Sequence, residues 1–134
     1  MADPAGKLDR SARRTAAWLR DLVPQMLDLT RLPKSWDDRG GPPPTEGLVR
    51  EIVEALGQAE IEDLSVPTAV PLPGGGIQLE WSGGEREVEL AFYPGGQASA
   101  IALRSSDEAP LDEQEFPIED FASIRRALSW LKVG

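Results

Sequence analysis

The chain has 134 residues, 40% of them hydrophobic and 28% charged, with a formal net charge of −9 and neither cysteine nor histidine. That length suits one domain with a buried core, and the two missing residue types exclude disulfides, thiol nucleophiles, His–Cys zinc sites and imidazole acid–base catalysis. The charge is uneven: residues 1–40 hold eight basic and six acidic groups, residues 41–134 hold six and seventeen, so the second part repels phosphate backbones.

The opening residues Met1 to Lys7 lack the apolar core of a signal peptide, and no apolar run nears the ~20 residues of a membrane span. The expectation is a cytoplasmic protein with no membrane partner. From Leu8 to Val23 the spacing predicts a helix. Trp18, Leu19, Leu22, Val23, Met26 and Leu27 recur at three- and four-residue steps, while Arg10, Arg13, Arg14 and Arg20 take the other positions. Pro24 falls inside this pattern and is expected to end it, with a second short segment running to Leu29. The domain reading is an N-terminal helical arm over residues 1–30 and an α+β domain over 31–134. The alternative is that the first helix packs into the same core, and the exposure of Trp18 decides between them.

Two glycines and three prolines from Gly40 to Pro44 exclude helix and central strand. Trp36 argues that the loop before them is ordered. Thr45 is a plausible N-cap for a helix through Leu56, with Gly57 as its stop. Pro67, Pro71 and Pro73 allow only an edge strand, Thr68 to Leu72. Alternation then predicts strands at Ile77–Trp81, Glu85–Tyr93 and Ala98–Arg104, turned by Gly83-Gly84 and Pro94-Gly95-Gly96. Residues 105–117 read as a polar acidic connection. A last helix is predicted from Ile118 to Leu131, with Phe121, Ile124, Leu128 and Leu131 inward. The fold class is therefore α+β: an antiparallel meander of three to four strands covered by helices, in the order α-α-β(3–4)-α.

Chemistry-bearing groups are sparse. Glu80, Glu87 and Glu89 share the polar face of the predicted hairpin, where like charges repel unless Arg86 or a basic partner intervenes. Asp37 and Asp38 follow Trp36 in a loop closed by Gly40, but they lack the alternating register of a calcium loop. Seven acids between Asp107 and Asp120 also lack a metal register. Gly74-Gly75-Gly76 precedes a strand rather than a helix, so it is a turn and not a phosphate cradle. No serine sits in a nucleophile elbow. Neither a metal nor a cofactor is expected.

The loop Trp36-Asp37-x-x-Gly40, followed by Gly75-Gly76-Ile77-Gln78-Leu79-Glu80-Trp81, resembles a group of small, uncharacterised bacterial proteins that join such a loop to such a hairpin. The likeness spans residues 35–95 and implies a bacterial origin and no particular activity. Asp38 departs from the small residue expected there.

The functional expectation is a non-enzymatic protein-binding factor of antitoxin, immunity, anti-defence or accessory-subunit type. Arg14, Trp18 and Leu22 of the arm and Glu80, Glu87 and Glu89 of the sheet would meet another protein, basic in character, or a second copy. One alternative is a small-ligand module with a pocket near the Trp36 loop. Another is a nucleic-acid accessory acting through the arginine-rich first helix.

Overall fold

A computed structural model describes residues 16–38, 41–106 and 109–133. Arg14, Gly40 and the first part of the predicted Leu8–Val23 helix lie outside the described residues.

Period-two alternation organises the middle of the chain into strands. Strands β1 (Thr68–Leu72), β2 (Gly76–Gly83), β3 (Arg86–Tyr93), β4 (Gln97–Arg104) and β5 (Asp112–Pro117) are each antiparallel to the next in sequential order. Helices α1 (Ala17–Leu29), α2 (Glu46–Ala59) and α3 (Phe121–Val133) cover one face. Between the layers lie Ile77, Leu79 and Trp81 of β2, Val88, Leu90 and Phe92 of β3, and Ala98 and Ala100 of β4. Leu22 and Met26 of α1, Ile52 and Leu56 of α2, and Ile124 and Leu128 of α3 meet them from above. The fold class is α+β, as expected, with five strands instead of three or four.

Each element carries its local cause. The Thr45 hydroxyl accepts the Leu48 N–H at 3.1 Å and caps α2. Asp120 caps α3 by accepting the Ser123 N–H at 3.2 Å and hydroxyl at 2.7 Å, which lowers its carboxyl below the ordinary value. In the β1–β2 turn Pro73 precedes Gly74 at φ +88°, and the Gly75 N–H bonds Leu72 O. Proline followed by a positive-φ glycine is the type II arrangement, and Pro94-Gly95 repeats it between β3 and β4.

The structure corrects the sequence reading in four places. Pro24 does not end the first helix; α1 runs continuously through it. Its missing N–H costs about 3 kcal/mol, but Leu22 and Met26 on either side are fully buried and hold both halves on the sheet. Trp18 is 3% exposed and Leu22 is fully buried, so over residues 17–29 the helix is a layer of the core, not an arm. Gly57 does not stop α2, which continues to Ala59 and ends at Glu60 in the left-handed region, φ +53°. Residues 112–117 are not simply connection but the fifth strand.

Candidate functional site

Among the described residues the helices cover only one side of the sheet, and the other side is built by the alternate residue of every strand. Its register is explicit. One transverse row runs Thr68, Glu80, Glu89, Ile101, Glu113; the next runs Val70, Gln78, Ala91, Ser99, Glu115. Glu87 sits opposite Leu103. The open face thus carries five glutamates around an apolar strip at Ile101 and Leu103, which are half-buried.

Glu80 and Glu89 are direct cross-strand partners. Like charges in that position repel, because their Cβ atoms stand about 5 Å apart. Gln78 offsets part of this by donating its side-chain N–H to Glu80 at 2.9 Å. Among the described residues Glu89 has no such donor. Burial, followed by Glu80 and Glu87, pushes its carboxyl above the ordinary value of 4.5.

Of the two sources of relief the sequence left open, Arg86 is not one. It shares the parity of Val88 and Leu90 and so lies on the helix side. There its guanidinium donates to Trp130 O at 2.6 Å and stacks 4.6 Å above the Trp130 ring. That contact ties the β2–β3 hairpin to the end of α3. No lysine or arginine belongs to the open face among the described residues.

The remaining predicted residues are placed elsewhere. Trp18 and Leu22 face inward, so they are unavailable to a partner: Trp18 donates its ring N–H to Ile61 O at 2.9 Å and meets Trp81 edge-on at 5.7 Å. Trp18 is thus an aromatic neighbour of Trp81. The Trp36 loop closes on itself. Trp36 donates to Pro42 O at 3.2 Å, Asp37 accepts the Gly41 N–H at 3.3 Å, and Ser35 N–H reaches Gly41 O at 3.1 Å. A Cβ on Gly41 would stand 2.8 Å from Asp37 Oδ2, so a side chain there would displace the Asp37 carboxylate. Asp38 sits at φ +61°, a conformation aspartate tolerates and larger side chains resist. Pro42 and Pro43 then lean on Gly75, which joins the loop to the β1–β2 turn.

Two grooves lie away from Trp36. One, about 590 Å³, runs between the start of α1 and the end of α2, past Leu19, Val53, Glu54, Glu60 and Glu62. The other, about 320 Å³, lies by Glu51, Gly96 and Phe121. Among the described residues no group of three or more acidic side chains converges to hold a metal ion, and no helix is long and apolar enough to cross a membrane.

The sequence reading missed Glu113 and Glu115 as members of the face. β5 has one buried apolar residue, Phe116, so it gives no apolar alternation. The one available signal was the partner strand: β4 needs an outer neighbour to satisfy its second row of backbone groups. Comparison with protein-family models, curated proteins and solved structures returned no match to this chain.

Proposed function

We propose that this protein is a non-enzymatic binding factor, and that a basic protein seated on the open face of the sheet is its partner. The observation that carries the reading is the charge of Glu80, Glu87, Glu89, Glu113 and Glu115 gathered on one surface that, among the described residues, no base neutralises and no helix covers. A cationic partner removes the repulsion between Glu80 and Glu89, and the strip at Ile101 and Leu103 gives it apolar area to bury. Exposed ion pairs supply about 0.2–1 kcal/mol each, so charge governs encounter and selectivity while apolar contact supplies most of the affinity. A second copy of the chain is a poor occupant, since acid would meet acid. Without imidazole or thiol the face lacks the side chains that most often serve as base or nucleophile at neutral pH. An antitoxin, immunity, anti-defence or accessory-subunit role in a bacterial cytoplasm accords with such a surface.

Co-purification from cells that naturally express the protein tests the reading. Wild type is expected to retain a basic partner that is released as salt rises, and the combined Glu80→Gln, Glu87→Gln and Glu89→Gln variant is expected to lose it. Equal retention by both, or nucleic acid as the retained species, would overturn the reading.

A further inference from the structure

The two edges of the sheet are finished differently, and the difference bears on how a partner docks. At the β1 edge, Gln25 of α1 donates to Pro67 O at 3.2 Å and accepts the Ala69 N–H at 3.2 Å. Its amide occupies the place of a neighbouring strand. Pro71, two residues on, turns the same way and has no N–H to offer. Among the described residues this edge presents no free donor, which disfavours strand addition there.

The β5 edge is the reverse. Ile118 N–H donates to Gly96 O at 2.8 Å, which sets the phase of the β4–β5 ladder. Asp112, Gln114 and Phe116 turn their backbone groups to β4, while Glu113, Glu115 and Pro117 turn theirs outward. Glu113 and Glu115 therefore present N–H and C=O pairs to solvent, and among the described residues nothing bonds them. Residues 112–115 are all exposed. The same two residues send their side chains to the acidic face.

The geometry points to strand addition at β5 by an extended, basic segment of another protein. This rests on the proposed reading of the acidic face and specifies how that face is engaged. An incoming strand would bond Glu113 and Glu115 through its backbone. Its alternate side chains would meet Glu113 and Glu115 on the open side, and Asp112 on the other. Neutral strands gain nothing from those acids and acidic strands are repelled, which includes a second β5 laid against the first.

The test uses the full chain and a capped octapeptide alternating arginine and valine, with an analogue N-methylated at the amides that would face β5. Amide hydrogen exchange is read residue by residue while side-chain carboxyl shifts are followed. Saturating peptide is expected to slow exchange at Glu113 and Glu115 roughly tenfold, the methylated analogue is expected to protect neither, and Glu113→Pro is expected to weaken binding without unfolding the protein. Carboxyl shifts at Glu80, Glu87 and Glu89 with unchanged edge exchange would overturn strand addition and leave the acidic-face reading standing. No response at either place would overturn both.

Discussion

Replacing Trp18 probes whether the first described helix belongs to the core. The side chain is 3% exposed, packs edge-on against Trp81, and holds Ile61 O through a buried hydrogen bond. Truncating a buried tryptophan to alanine costs about 3–5 kcal/mol. The hydrogen bond, worth about 1 kcal/mol, and the ring pair, about 0.5–1.5 kcal/mol, fall largely within that range. We expect Trp18→Ala to destabilise by about 4 kcal/mol, a large share of the roughly 5–15 kcal/mol available to a domain. With a urea slope of about 1.5 kcal/mol/M the midpoint would fall by roughly 2.5 M. Trp18→Phe keeps most of the ring but orphans Ile61 O, and should cost about 1.5–2 kcal/mol. Urea unfolding followed by circular dichroism measures both. A loss under about 1 kcal/mol for Trp18→Ala would refute the packing of α1 against β2 and restore the picture of an arm.

Two further substitutions test the sheet. Glu89→Gln should stabilise the protein at neutral pH by about 0.5 kcal/mol, by removing a repelling cross-strand charge. Because burial, Glu80 and Glu87 raise the Glu89 carboxyl above 4.5, ionisation costs the folded state, and that cost appears as pH rises through the raised value. The gain should therefore vanish below the ordinary glutamate range, which urea midpoints at acid and neutral pH would reveal. Gln25→Ala should cost about 1–2 kcal/mol and speed exchange of the Ala69 amide, since both bonds closing the β1 edge are lost; unchanged exchange would show that the edge is closed by other means.

The helix-covered side of the sheet was legible because Ile77, Leu79, Trp81 and Val88, Leu90, Phe92 alternate without interruption. Thr45 announced α2 through its capping chemistry. Pro24 misled because intrinsic propensity counts the lost N–H and not the tertiary burial of Leu22 and Met26. β5 was invisible because strand pairing, not side-chain patterning, makes it a strand. The same blind spot hid two of the five glutamates of the site. Glu80, Glu87 and Glu89 were readable from the hairpin, whereas Glu113 and Glu115 join them only through a register set some 24 residues away in sequence. The parity of Arg86 was readable too, since it falls in step with Val88. Its engagement with Trp130 is a long-range contact that no local pattern records.

The charge of the open face is tested most directly by the Glu89 carboxyl carbon, followed by NMR across the acid range in the free protein and with its co-purified partner. The expected midpoint lies above 4.5 in the free protein and falls once a cationic partner covers the sheet. A free-protein midpoint at or below the ordinary value would mean that a base already neutralises this surface, and a midpoint unmoved by the partner would mean that binding happens elsewhere.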